Sequence, residues 1–226
     1  MERKMKLIMI LLIMVVVLLF IVYSVFFGLP WKKASTAKKL ETYVEEKYDI
    51  QVAKKETYYN FKNNSYGAKF VSKTSHSVTF LAETNGEQFI DYYPEAVWKR
   101  QLSNDIKPEI QKVFSQIENI TIEGTYGLGE ELGIQQKIPA YQSVNGEFIV
   151  LIHLTNKWDK EVEEKVIDST YQLVQVLQEK EINNVSIHVQ GKESKEGETA
   201  PYIDIPFKKI RTIQEKSDIE TYVTKE

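Results

Sequence analysis

Three kinds of residue in this chain have side chains suited to chemistry, and their spacing decides what each can do. His153 in Ile152-His153-Leu154 and His188 in Ile187-His188-Val189 stand in runs of β-forming residues. If those strands are neighbours in matching register, the two imidazoles could share a metal ion or a ligand; otherwise they are ordinary solvent-face histidines. No third ligand occurs at a diagnostic spacing, so no metal is assigned. His76 belongs to a serine-rich turn. Cysteine is absent, which excludes disulfides, thiol catalysis and thiol lipidation and leaves any metal to His and carboxylates alone.

The segment Gly124-Thr125-Tyr126-Gly127-Leu128-Gly129 follows a predicted strand, as a phosphate-binding loop would. Its spacing fits neither the dinucleotide nor the P-loop pattern, and Glu130-Glu131 place negative charge where a phosphate would need attraction. A flexible link between two lobes is the expectation there. Carboxylate pairs such as Glu118 with Glu123, or Asp159 with Glu163, are what 32 acidic residues produce by chance, so they do not define a glycosidase. No serine sits in a glycine elbow. No catalytic residue and no cofactor is assigned.

The densest feature is aromatic: Tyr58, Tyr59, Phe61, Tyr66, Tyr92, Tyr93 and Trp98 lie within one predicted strand meander and its exit helix. Rigid rings with polar tips suit a peptide or glycan groove, and alternate positions must also fill a core. Tyr59, Tyr93 and Trp98 are the expected binding residues.

The elements that position these residues begin with an apolar block from Leu7 to Leu29, interrupted only by Tyr23, Ser24 and Gly28. As a helix, its 23 residues extend about 34 Å, enough to cross a hydrocarbon layer about 30 Å thick. It has no polar face to turn to water. Glu2, Arg3, Lys4 and Lys6 resemble a signal n-region, and Ala34, Ser35 and Ala37 are small enough for cleavage. The apolar run is too long for a signal, however, and Trp31-Lys32-Lys33 separates it from those small residues, so an uncleaved anchor in membrane lipid is expected. Basic residues nearly balance across the block. The short basic N-terminus favours a module outside the cytoplasm, in the cell envelope.

Residues 1–33 hold five of the 29 basic residues and one of the 32 acidic ones, so the remainder carries about −7. Nucleic acid is thereby excluded as a partner, because phosphate affinity needs clustered Lys and Arg. Ala37, Leu40, Val44 and Tyr48 predict a helix over 35–47 with Ser35 as N-cap. Four short strands follow, from Ile50 to Tyr92. Pro94 opens a helix over Trp98, Leu102, Ile106, Ile110, Val113 and Ile117, with a kink or break at 104–107 ahead of Pro108.

Further on, the pattern predicts a strand at 120–122, a strand at 140–144 joined by Asn145-Gly146 to another at 148–155, and a long helix through Val166 and Leu177. Strands at 185–189 and 202–207 come next, separated by a charged loop over 191–201. The tail past Ile210 reads as a frayed helix. The fold class is thus α+β: an anchor over 1–33, then two antiparallel-sheet-plus-helix lobes over 34–118 and 119–226.

The chain resembles the YfjL-like membrane-anchored proteins of Bacillus and related Firmicutes. The likeness rests on Gly28-Leu29-Pro30-Trp31-Lys32-Lys33, the helix ending at Tyr48, the Tyr66-Gly67-Ala68 strand, and Asp91-Tyr92-Tyr93 through Trp98. It implies an anchored envelope protein and carries no activity with it. The order helix, meander, helix is also similar to PepSY-type modules, which implies a regulatory or binding role by topology alone. A non-enzymatic module that binds an envelope protein or peptide is the leading expectation. A cell-envelope hydrolase and a cytoplasm-facing tethered sensor are the alternatives.

Overall fold

The computed structural model describes residues 2–74, 77–158, 160–192 and 200–224. His76, Asp159 and most of the 191–201 loop therefore lie outside the described residues. Helix α1, Glu2–Phe27, contains the apolar block and is the one helix, among those described, long and apolar enough to cross a membrane. Its apolar side chains are exposed along its length. Gly28 ends it in the left-handed region at φ +67°, with its N–H on the Ser24 carbonyl, the usual way a glycine closes a helix.

Helix α2, Pro30–Tyr48, starts two residues later. It begins at Pro30 rather than beside Ser35, because a first-turn proline gives up an N–H that has no helical partner anyway. Ser35 is instead inside the helix, its Oγ donating to the Lys32 carbonyl at 3.1 Å. Ala37, Leu40, Val44 and Tyr48 are buried, as their spacing predicts. They lie over a meander of β1 (Val52–Asn60), β2 (Ser65–Ser72), β3 (Thr79–Asn85) and β4 (Gln88–Asp91), antiparallel in chain order. Ala68 pairs with Ala82 and Phe70 with Phe80, and all four are buried.

Helix α3, Tyr93–Val113, runs unbroken through Pro108. The proline removes the hydrogen bond to the Asn104 carbonyl, and both residues lie on the exposed side of the helix, where solvent rather than core surrounds the break in the ladder. The expected break at 104–107 is absent because Ile106 and Ile110, both buried, hold the helix on either side of it. Ile117, expected on this helix, opens β5 (Ile117–Gly124), and Phe114 is the buried residue at the helix exit.

After β5 come the short helix α4 (Leu128–Glu131), a 3-10 turn at Tyr141–Ser143, β6 (Phe148–Lys157), α5 (Lys160–Glu179) and β7 (Val185–Lys192). The chain closes with β8 (Tyr202–Ile205), α6 (Phe207–Ile210), α7 (Lys216–Glu220) and β9 (Val223–Thr224). No strand forms at 140–144: Tyr141 is buried in the 3-10 turn, and Asn145-Gly146 leads from it into β6. The second sheet has the order β5-β6-β7-β8-β9. Its pairs are antiparallel except β6 with β7, which are parallel because α5 returns the chain to the same end. The tail is folded rather than frayed, with Ile210, Ile213 and Ile219 buried.

Contacts divide the chain into a first unit, Met1–Tyr93 with Gly129–Lys137, and a second, Pro94–Leu128 with Ile138–Glu226. Helix α3, expected to close the first lobe, thus falls with the second. The Trp98 indole N–H donates to the Pro139 carbonyl at 2.9 Å, Tyr141 OH to Asp105 Oδ2 at 2.9 Å, and Ser169 Oγ to the Val113 carbonyl at 2.7 Å. The first unit keeps a helix and a meander but no return helix. The anchor is not a separate body either, since Gly28 is buried beside Tyr59.

Candidate functional site

The three expected binding residues are not gathered in a groove. Tyr93 is buried, its ring 4.9 Å from that of Tyr48 and 5.0 Å from that of Phe80. Trp98 is 0% exposed and belongs to the second unit. A fully enclosed ring has no face to offer a ligand, so both are core. Tyr59 keeps a half-exposed position, its ring tilted against that of Tyr66 at 4.7 Å and its OH donating to Asn64 Oδ1 at 2.9 Å. On the sheet face away from α2, Tyr58 crosses Gly67 and donates to Glu83 Oε2 at 3.1 Å, while Ser65 and Tyr92 hydroxyls reach the same carboxylate.

The histidines do sit on adjacent strands, but His188 pairs with Leu151 and His153 with Gln190, two residues out of step. His188 stacks on Tyr202 at 5.1 Å, and its Nδ1 lies 3.6 Å from Asp204 Oδ1, too far for a hydrogen bond. Among the described residues no three His, Asp or Glu side chains gather as metal ligands. Glu118 and Glu123 are exposed on β5.

What the first unit does assemble is a charge cluster around Lys47, in the last turn of α2. Its Nζ donates to Asp91 Oδ2 at 2.9 Å, to Glu130 Oε1, and to Tyr43 OH at 2.9 Å. Tyr43 OH donates to Glu130 Oε1 at 3.1 Å and Tyr48 OH to Asp91 Oδ2 at 3.2 Å. Asp91, 0% exposed, also accepts the Tyr93 N–H at 3.0 Å and so caps the start of α3, while its own N–H points to Glu130 Oε1 at 3.3 Å. Gln136 N–H donates to the Lys47 carbonyl at 2.9 Å. The glycine-rich link is therefore a built part of this unit from Gly129 onward, not a loose tether.

Burial pushes the Asp91 carboxyl above the usual carboxylate range, against the pull of Lys47. Burial is the largest single influence on Glu130 and acts in the same sense, but the bond and charge of Lys47 together with the bonds from Tyr43 and the Asp91 N–H outweigh it, and the net shift is downward. For Lys47, burial favours the neutral amine, yet its bonds to Glu130, Tyr43 and Asp91 prevail and hold it protonated well above its ordinary value. Burial pushes Tyr43 up to about 12, and burial with the Asp91 charge raises Tyr48 further. A lysine so held is neither a general base nor an imine-forming nucleophile. The cluster opens onto a shallow depression lined by Tyr43, Glu46, Lys47, Glu130, Gly133 and Gln135.

Residues 3–92 match the family model described as the YfjL-like, N-terminal domain. The matched span runs from α1 to the residue after β4. It includes Tyr43, Lys47, Tyr48 and Asp91 but not Glu130. No curated protein and no solved structure matches the chain. Sequence reasoning missed the cluster because its partners are 44 and 83 residues apart. The one local signal is Tyr43 four residues before Lys47, which places both on one helical face.

Proposed function

We propose that this is a single-pass membrane protein whose module lies outside the cytoplasm and has a non-enzymatic binding or regulatory role toward a protein or peptide of the cell envelope. The observation that carries this reading is the join between anchor and module. An apolar, exposed α1 passes through two residues into a folded unit in which the buried Asp91, the half-buried Glu130 and Lys47 are bonded to one another. That network is suited to holding shape rather than to moving protons. The basic residues Arg3, Lys4 and Lys6 before the apolar run favour that side as the cytoplasmic one. Of Tyr59, Tyr93 and Trp98, Tyr59 keeps an accessible face and is the contact proposed for the partner.

Protease treatment of intact cells, followed by crosslinking of the full chain in its membrane, tests both halves. The expected outcome is digestion of the module from outside and one reproducible crosslinked envelope protein. Complete protection of the module in intact cells, with digestion only after lysis, would overturn the topology. Turnover of a wall or peptide substrate abolished by one carboxylate substitution would overturn the non-enzymatic role.

A further inference from the structure

We infer that the β1–β2 hairpin tip is a second membrane contact, seated in the headgroup layer of the leaflet from which α1 emerges, and that the surface it takes is an anionic lipid bilayer. The inference rests on α1 spanning the membrane. Phe26, in the last turn of α1, belongs to the apolar run and so marks the hydrocarbon boundary. Phe61, the first residue of the β1–β2 turn, places its ring 5.8 Å from that of Phe26 and is 53% exposed. An exposed phenylalanine level with the end of a membrane helix is a surface continuous with that helix, not an isolated apolar residue in water.

A second aromatic points the same way. Trp31 is 61% exposed and turns its indole back to stack on Phe20, at 6.0 Å, inside the apolar run. Tryptophan favours the boundary layer, where its ring is buried and its N–H stays wet. Cations lie beside these rings: Lys32 Nζ is 4.7 Å above the Tyr66 ring, Lys33 follows it, and Lys62 is exposed next to Phe61. In a module carrying about −7 overall, basic residues at the membrane end offset repulsion by anionic lipid.

The hairpin cannot swing away from the helix. A Cβ on Gly28 would lie 2.6 Å from Tyr59 Cγ, and the Leu29 N–H donates to Tyr66 OH at 3.2 Å. The two strands of the hairpin are thus fastened to the residues that join α1 to α2. The tip is held where α1 leaves the lipid, and the first unit stands on the membrane at a set attitude instead of hanging from a flexible stalk.

The absence of cysteine makes single-cysteine nitroxide labelling clean. Full-length protein is reconstituted in vesicles of phosphatidylethanolamine and phosphatidylglycerol, labelled at Val16→Cys in α1, Asn63→Cys in the tip, or Gln51→Cys at the opposite end of the sheet. Relative accessibility to oxygen and to a water-soluble nickel chelate reports depth. The expected result is a deep label at 16, a headgroup-depth label at 63 and an aqueous one at 51, with the label at 63 shifting to aqueous depth when Phe61→Ser is added or when Lys62→Glu is made. A label at 63 as aqueous as that at 51, with 16 still deep, would overturn the hairpin contact and leave the anchor standing. A depth at 63 unmoved by both substitutions would overturn it too, and an aqueous label at 16 would overturn both.

Discussion

The two units solve the problem of a stable interior in opposite ways. In the first, α2 and the meander enclose rings and charges: Tyr48, Phe70, Phe80 and Tyr93 are buried, and Tyr48 and Tyr93 bond to a fully buried carboxylate, Asp91. In the second, most of the interior is aliphatic, built from Val150, Ile152, Leu173, Leu177, Ile187 and Ile205, with Trp98, Tyr141 and Phe148 buried among them and no ion pair at its centre among the described residues. A dry aliphatic core gains from area removed from water and is insensitive to charge. A polar interior is worth having only while each partner is satisfied, so removing one member is costly. The unit that carries the anchor is therefore the one whose stability hangs on a few specific bonds.

Lys47→Met breaks the comparison most sharply. It leaves Asp91 buried beside Glu130 with no cation, and loss of one partner of a buried pair costs about 3–5 kcal/mol. Hydrogen exchange read separately over the two units should show protection lost in β1 to β4 and retained in β6 and β7. Equal loss in both units would show that the cluster does not act locally. Leu177→Ala is the converse. It empties a fully buried site in the second unit at a cost of about 2–5 kcal/mol, and should leave the amides of β2 and β3 protected.

How much of this contrast was legible beforehand follows from the range of the interactions. The buried faces of α2 and α5 and the four-strand meander could be read because a helix or a hairpin records its contacts within a few residues, as Leu40 and Val44 do. The placement of α3 could not be, since the bonds that take it to the second unit join Trp98 to Pro139 and Asp105 to Tyr141. The parallel pairing of β6 with β7 was implied by the order strand, long helix, strand and not by the alternation of apolar residues, which is the same for either direction. At the candidate site, Tyr93 and Trp98 carried the right chemistry for a groove but are buried, and nothing local to Asp91 or Glu130 marked either as a partner of Lys47.

Two glycines sharpen the account of the first unit at lower cost. Gly28→Ala must hold a Cβ at φ +67° against Tyr59 Cγ, the rigid root of that ring, for about 1–3 kcal/mol. The expected readout is a broadened distance distribution between labels at 16 and 63, as the hairpin separates from the helix. Gly67→Ala meets Tyr58 Cζ at 2.2 Å, at the far end of its ring, so the ring turns aside and its bond to Glu83 is lost. That costs about 0.5–1.5 kcal/mol, checked by chemical denaturation against Tyr58→Phe, which should lose nearly the same amount.

The smallest expected effect is a difference in alkaline tolerance. Tyr43 is raised to about 12 from 10.0 by burial, and Tyr48 and Lys47 are raised as well. A group whose folded value lies above its unfolded one lends stability in full below the unfolded value and loses it as pH rises through the folded value. All three therefore withdraw stability from the first unit once pH passes 10, with the Tyr43 share gone near 12. In the second unit Tyr141 shifts upward too, through burial and the Asp105 hydrogen bond, but it stands apart from any comparable cluster. Nitroxide labels at Gln51 and Gln142 should accordingly sharpen in sequence as pH is raised, the first before the second. Simultaneous sharpening would mean that the cluster does not set the alkaline limit of its unit. In Tyr43→Phe the interval between the two should narrow, because the phenylalanine brings the same bulk without the proton.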